Sequence, residues 1–255
     1  MNWRLITGGP QDPVVNLALE EAMVRSRREG RCPNTLRLWR NVDSVILGCH
    51  TRVHDEVNLN ACVEMGVKVI RRISGGGAVY HDLGNLNYSV IVKEGFGNVK
   101  GDVVEVYEVF SKAILTGLEK LNVKAMFHPP NLILAGGKKV SGMAQHRFYD
   151  VILLHGTLLI CSNLNAISKL LLNPKHQTAN ISDIVGKPIN MRRVVAALVE
   201  GFEDSFNVRL NRGTVIPYEE TVAQKLIKLK YGSPRWNLQE EKPIFFTEPS
   251  GNGPG

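Results

Sequence analysis

The chain has 255 residues, 44% of them hydrophobic and 22% charged, which is enough apolar material for a packed core and excludes a disordered or low-complexity architecture. Its four cysteines, Cys32, Cys49, Cys62 and Cys161, are scattered without a C-x-x-C pair, which excludes a disulfide framework and a zinc ribbon and fits a reducing compartment. No run approaches the roughly 18 apolar residues of a membrane helix, no signal-like segment follows Met1, and the net charge of +7 favours anionic partners, so a cytoplasmic protein without a membrane partner is expected.

In chain order, Asn16-Leu-Ala-Leu-Glu-Glu-Ala-Met-Val is apolar at helical spacing and predicts a helix over residues 14–29. Alternation and short apolar runs predict strands over 35–39, 44–47, 67–72 and 86–92, the last of them central in a sheet. Apolar residues at 103, 106, 107, 110, 114, 118 and 121 make a helical stripe opening after Gly101-Asp102, with the aspartate as cap. Strands over 123–127, 131–135 and 151–160 follow, then helices near 164–172, 191–206 and 217–230. Clustered strands with a hairpin link such as Ala135-Gly-Gly-Lys138 argue for an α+β fold with a mixed, largely antiparallel sheet flanked by helices. One domain over 1–240 is expected, with residues 241–255 as a tail of turn residues without fixed structure.

The strongest local motif is Arg71-Arg-Ile-Ser-Gly-Gly-Gly-Ala-Val-Tyr-His-Asp82, a glycine triplet between two strands. Glycine permits φ > 0 and lets backbone N–H groups close around an anion; the plain alternative is a bend or bulge. It is neither a P-loop nor G-x-G-x-x-G. A second cluster runs from Asn131 to Gln145 and carries Lys138 and Lys139 at a tight turn. Neighbouring strand positions face opposite ways, so one lysine can face solvent and the other a pocket, where it would need an anionic partner; the alternative is a solvated hairpin turn. His155 reads as a satisfied structural histidine, and Gln177-Thr-Ala-Asn-Ile-Ser-Asp183 as a stretch in which Asn180 or Asp183 caps the next turn. The histidines and cysteines show no metal-ligand spacing, so a metal would arrive with a nucleotide.

In order and content, Asn16-Leu-Ala-Leu-Glu-Glu21, the block from Arg71 through Asn-Tyr-Ser89, Lys138-Lys-Val-Ser-Gly-Met-Ala-Gln145, His155-Gly-Thr-Leu-Leu159 and Ala179-Asn-Ile-Ser-Asp183 resemble successive motifs of the lipoate-protein ligase family. That resemblance implies a catalytic fold shared with biotin-protein ligases and an enzyme that makes lipoyl-AMP from lipoate and ATP with Mg²⁺, then passes the lipoyl group to a lysine. It implies that Arg72, Gly75, Gly76, Gly77, Ala78, Val79 and His81 line the lipoyl-AMP pocket with Asn87 and Asn131 nearby, and that Lys139 carries the catalysis. An apolar slot around Val69 and Val90 would take the acyl chain.

Related octanoyltransferases use a cysteine thioester. In one group that cysteine stands three residues before the His-Gly of the later strand, here Ile152; in another it stands in a loop matched here by Phe127-His-Pro-Pro130, which has none. Leu132 and Thr51 depart from the family's usual aspartate and glutamine. Tyr231-Gly-Ser-Pro-Arg-Trp-Asn237 resembles the segment after which single-chain ligases continue into an accessory domain, so the resemblance implies a separate small subunit as partner. The acceptor would be a lipoyl-carrier domain, of a 2-oxoacid dehydrogenase acyltransferase or a glycine-cleavage H protein. A cysteine acyltransferase and a non-catalytic lipoate carrier remain as alternative readings; nucleic acid is not expected, since basic and aromatic residues do not interleave.

Overall fold

The computed structural model describes residues 2–96 and 102–238. Strand β1 (Asn2–Gln11) opens the fold, followed by helix α1 (Pro13–Arg28), β2 (Thr35–Asn41) and β3 (Ser44–Leu47). Two short helices, α2 (Val53–Glu56) and α3 (Leu59–Glu64), lead to β4 (Lys68–Arg71), the glycine triplet, β5 (Val79–His81) and β6 (Asn85–Lys93). Helix α4 (Val103–Glu119) precedes β7 (Ala125–His128), β8 (Leu132–Ala135), β9 (Lys138–Phe148) and β10 (Val151–Leu159). Then come α5 (Leu164–Leu170), α6 (Ile181–Val185), α7 (Met191–Phe206), β11 (Arg209–Arg212), α8 (Pro217–Leu226), a π-helical turn (Ile227–Tyr231) and α9 (Pro234–Leu238).

The fold is α+β. Its large sheet has the order β11-β1-β2-β6-β10-β9-β8-β7, parallel at the two β1 pairings and antiparallel from β2 onward, and a small sheet has the order β4-β3-β5. The central strand over 86–92 is β6, paired with β2 and β10. Gly136 and Gly137 both have positive φ, as a two-residue turn matching strand twist requires, and close the β8–β9 hairpin.

Strand alternation divides the interior. Leu86, Tyr88, Val90 and Val92 of β6 and Ile152, Leu154 and Leu158 of β10 face α4 and α7, where Phe110, Ile114, Leu198 and Phe202 complete one core. The opposite face packs on α1, α8 and α9 through Leu17, Met23, Trp39, Leu153, Leu226 and Trp236. A third cluster joins the small sheet to α3 and α5. Asp12 caps α1 by accepting the Val14 N–H at 2.9 Å with Pro13 next to it, and Asp102 caps α4 in the same way, as expected for it. Among the described residues no helix is long and apolar enough to cross a membrane.

Several elements differ from the sequence expectation. Strand β1 is interrupted by Gly8-Gly9-Pro10, and β11 buries only Leu210 of its four residues, so neither shows an alternating signal. Strand β9 is mostly half-buried and carries polar residues on both faces. The helix expected over 217–230 changes to π-helical pairing at Ile227, which brings Lys230 and Tyr231 together onto Glu21, each 2.7 Å from Oε2. The tail over 241–255 lies outside the described residues.

Candidate functional site

A cavity of about 260 Å³ opens where the α1 face of the large sheet meets the small sheet. Arg72, Gly76, Gly77, Ala78, Val79, His81, Asn87, Asn131 and Lys139 all line it, as do the unusual residue Leu132 and the crossing segment Leu171, Asn173 to His176 and Thr178. Gly75 does not line it; its carbonyl is taken by Arg72.

Arg72 is spent on building the loop. Its guanidinium donates to the carbonyls of Ile46 (3.0 Å), Gly75 (2.6 Å) and Gly77 (3.0 Å) and to Ser74 Oγ (2.9 Å), while Thr51 Oγ1 donates to the Gly76 carbonyl at 2.8 Å. In trans planar peptides the following N–H points opposite to each carbonyl, so those of Gly76, Gly77 and Ala78 turn away from these donors. One already holds an anion: the Glu56 carboxylate accepts the Ala78 N–H at 2.5 Å. A Cβ on Gly48 would lie only 1.7 Å from the Gly76 carbonyl oxygen, so that position must be glycine, while one on Gly77 would stand 2.6 Å from the Glu56 carboxylate and push that side chain aside. Arg71 does a parallel job outside the cavity. It donates to Gly48, Thr51 and Trp236 carbonyls, its N–H reaches Asn237 Oδ1, and Trp236 Nε1 donates back to its carbonyl at 2.8 Å.

The two lysines of the hairpin separate as strand alternation requires: Lys138 is exposed and Lys139 is turned to the cavity. Its backbone is clamped to the crossing segment, N–H to the Gln177 carbonyl at 2.8 Å and carbonyl from the Ala179 N–H at 3.0 Å. Gly142 makes room for the side chain, since a Cβ there would stand 2.9 Å from Cε and 3.0 Å from Nζ. Among the described residues the ammonium has no hydrogen-bond or ion-pair partner. Burial, and secondarily Arg72, pull its pKa below the ordinary lysine value. Two further nitrogens on cavity-lining residues are buried without a partner, His81 Nε2 and Asn87 Nδ2. Buried polar atoms of native proteins are mostly paired, so these two nitrogens and the Lys139 ammonium mark the polar side of the cavity. Asn131 is partly committed, donating to the Met143 carbonyl at 2.6 Å.

The floor of the site was not legible beforehand. Glu20 reaches from α1 to His155 Nδ1, with both carboxylate oxygens at 2.9 Å, and accepts Ser89 Oγ at 2.6 Å; Trp39 Nε1 donates to Ser89 Oγ at 2.8 Å. His155 Nε2 meets Ser74 Oγ at 2.5 Å. The order Glu–His–Ser is that of a nucleophilic triad, yet Ser74 does not line the cavity and its oxygen is held by Arg72, so the set works as a brace. His155 is thus satisfied, as expected of it. Asn180 does not cap α6 with its side chain but clasps Ser162 through its N–H and carbonyl. The expected apolar slot around Val69 and Val90 is corrected: Val90 faces the α4–α7 core and Val69 packs in the small-sheet cluster. The apolar part of the cavity is instead made by residues including Leu17, Trp39, Ile46 and Val79.

Residues 12–203 match the Lipoyl protein ligase A/B catalytic domain. The chain belongs to that family. The octanoyltransferase LipM of Brevibacillus brevis is 28% identical over 93% of this chain and 99% of its own length. An archaeal bi-partite lipoate protein ligase from Thermoplasma acidophilum, solved in a study of that ligase and its E2 lipoyl domain, superimposes with a TM-score of 0.86 at 27% identity, covering 96% of this chain and 99% of the other. A lipoate-protein ligase A bound with ATP gives a TM-score of 0.86 at 30% identity over 94% and 100%. The family therefore holds both transferases and ligases, and the thiols bear on the choice. Among the described residues lining the cavity none is a cysteine. Ile152 is buried in the α4–α7 core, on the face of β10 opposite His155. Burial pushes the Cys32, Cys49 and Cys62 thiols up, away from the thiolate a nucleophile needs, and Cys161 is exposed outside the cavity.

Proposed function

We propose that the chain is the catalytic part of an ATP-dependent lipoate-protein ligase, one that forms or uses lipoyl-AMP and passes the lipoyl group to a lysine of a lipoyl-carrier domain. The observation that carries this reading is Lys139: a part-buried ammonium without a partner among the described residues, in a cavity whose described lining has no thiol. In the first step a lipoate carboxylate oxygen attacks the α-phosphorus of ATP and pyrophosphate leaves. In the second the target amine attacks the acyl carbon, AMP leaves and the amine loses a proton. Negative charge gathers on phosphoryl and acyl oxygens in both, and a fixed ammonium in a part-buried site stabilises it. Arg72, Gly75, Gly76 and Gly77 hold the loop, Ala78 and Val79 carry the chain past the ligand, and His81, Asn87 and Asn131 offer polar contacts. The apolar wall of Leu17, Ile46 and Val79 suits a hydrocarbon chain.

ATP as cosubstrate is supported by the likeness to the ATP-bound ligase. Among the described residues no three His, Cys, Asp or Glu side chains gather to hold a metal, so Mg²⁺ would enter on the nucleotide's phosphates. By analogy with the bi-partite archaeal enzyme, a second small subunit and a lipoyl-carrier domain are the partners, and the +7 charge favours an acidic carrier.

The likeness to LipM supports a second reading, transfer of octanoyl from a carrier protein. Mass spectrometry of an apo lipoyl domain separates them. Modification from lipoyl-AMP, or from lipoate with ATP and Mg²⁺, supports the ligase; modification from octanoyl acyl carrier protein alone, lost on alkylation of thiols, replaces it with the transferase.

A further inference from the structure

His81 ends a buried chain of side chains that begins at an arginine. Arg37 Nη2 donates to Asn16 Oδ1, and Nη1 to the Asn16 backbone carbonyl at 2.9 Å. Asn16 Nδ2 then donates to the Arg40 carbonyl at 2.9 Å and to Asn41 Oδ1 at 2.8 Å. Asn41 Nδ2 lies 3.1 Å from His81 Nδ1. All four side chains are buried: Arg37 is 3% exposed, Asn16 1%, Asn41 0% and His81 4%.

The chemistry of the first member dictates the rest. A guanidinium only donates, so the oxygen of Asn16 must face it, and the Arg40 carbonyl, which only accepts, independently fixes the amide the same way. Asn16 therefore presents N–H to Asn41, which must answer with oxygen and turn its own N–H to His81. Turning Asn41 over would set N–H against N–H at Asn16, and that clash fixes its orientation. Facing a donor, His81 Nδ1 can only accept, so the single proton of the neutral ring is on Nε2, the unpartnered nitrogen of a residue that lines the cavity.

From this geometry we infer that Asn41 is a positioning residue: it holds His81 as a neutral Nε2–H donor aimed at an acceptor oxygen of the bound acyl-adenylate, and so denies His81 the role of general base toward the attacking amine. The nature of the ligand rests on the ligase reading above; the position of the proton does not. The surroundings agree. The charged and titratable groups that act on the ring are Arg72, from the end of the small sheet, and His155, from β10, and after burial itself both push its pKa down, to about 3. An imidazolium would also carry N–H at Nδ1 against the Asn41 N–H. A donor that never gains charge near pH 7 gives a hydrogen bond whose strength does not vary with pH, whereas a base there would need Nε2 bare.

The test starts with the full wild-type chain labelled with ¹⁵N at histidine, in a long-range ¹H–¹⁵N correlation between about pH 5.5 and 8, a range chosen to bracket the ordinary histidine pKa. The His81 resonances are identified by their loss in His81→Gln. The expected spectrum has a protonated Nε2 and a bare Nδ1, unchanged across the range; a proton on Nδ1, or a titrating ring, overturns the inference. Asn41→Asp is the second arm. Its carboxylate still accepts from Asn16 but now accepts from Nδ1–H as well, so the tautomer should switch or the ring become charged. Where the tautomer has switched, binding of the unreactive probe lipoyl-sulfamoyl-adenosine should weaken about tenfold or more, as for a lost or reversed buried hydrogen bond. His81→Gln, which keeps an amide donor, should bind more tightly than His81→Phe. Unchanged affinity in Asn41→Asp with a switched tautomer overturns the donor role. If the wild type shows the expected tautomer but does not bind the probe, the ligase reading fails while Asn41 remains what sets the proton on His81.

Discussion

Both carboxylate oxygens of Glu20 lie 2.9 Å from Nδ1 of His155, although the two residues are 135 positions apart. This contact ties α1 to β10 beneath the cavity. Burial would push the Glu20 carboxyl up, but His155, its hydrogen bonds and Arg37 bring it below the usual carboxylate range. A carboxyl depressed in the fold contributes stability above its unfolded pKa and loses it as pH falls through the folded value. Glu21, held by Lys230 and Tyr231 against the same upward push of burial, has the same sign. Thermal melts should therefore fall as pH drops below the ordinary carboxylate value of 4.5, and Glu20→Gln should flatten part of that decline. Glu20→Ala should cost about 3 kcal/mol near neutral pH, measured by denaturant unfolding.

Lys139→Ala should leave the fold intact and lower lipoyl transfer by about a hundredfold or more, as for loss of a preorganised charge at developing negative charge. The mass shift of the lipoyl domain with time is the readout. Because burial and Arg72 lower the lysine pKa, transfer should also decline on the alkaline side before the ordinary lysine value of 10.5 is reached, and that limb should vanish in the variant.

Two glycines beside the cavity separate turnover from stability. In Gly142→Ala the new methyl meets the far end of the flexible Lys139 side chain at 2.9–3.0 Å, so the melting temperature should hardly move while activity falls. In Gly156→Ala it would lie 2.3 Å from the buried Tyr88 hydroxyl and 2.8 Å from the Gly142 carbonyl, and the variant should lose about 2 kcal/mol or more. Melting curves and turnover measured on both variants check the contrast.

Trp236→Phe removes the N–H that reaches the Arg71 carbonyl, and Asn237→Ala removes the acceptor for its N–H. Each should destabilise the chain by about 1–2 kcal/mol. On the proposed ligase reading each should also raise the KM for ATP more than it lowers kcat, since Arg71 also holds the Gly48–Thr51 turn against the glycine loop. Steady-state kinetics with the complete ligase system tests the split.

Legibility followed the range of the signal. Alternation in β6 and the stripe of α4 are local patterns, and they emerged where expected. The glycine triplet and the lysine pair carried chemistry in their own composition. Glu20, Trp39, Asn41, Ser74 and Glu56 did not, because each matters through a partner far along the chain; Glu56 and Ala78 are 22 residues apart, Trp39 and Ser89 50. One signal was present: Glu20 and Glu21 sit inside the apolar run of α1, and acidic residues buried among leucines and alanines need partners. Strands β1 and β11 were hidden because parallel pairing at a sheet edge leaves no hairpin turn to read.

Strand β10 is one wall with two tenants: Ile152, Leu154 and Leu158 belong to the α4–α7 core, while His155 and Thr157 border the cavity. Substitutions at Leu154 and Leu158 should therefore register mainly in the melting temperature, and those at Thr157, on the other face, mainly in lipoyl transfer. Evolution would be free to tune thermal tolerance through Leu154 and Leu158 almost independently of substrate choice.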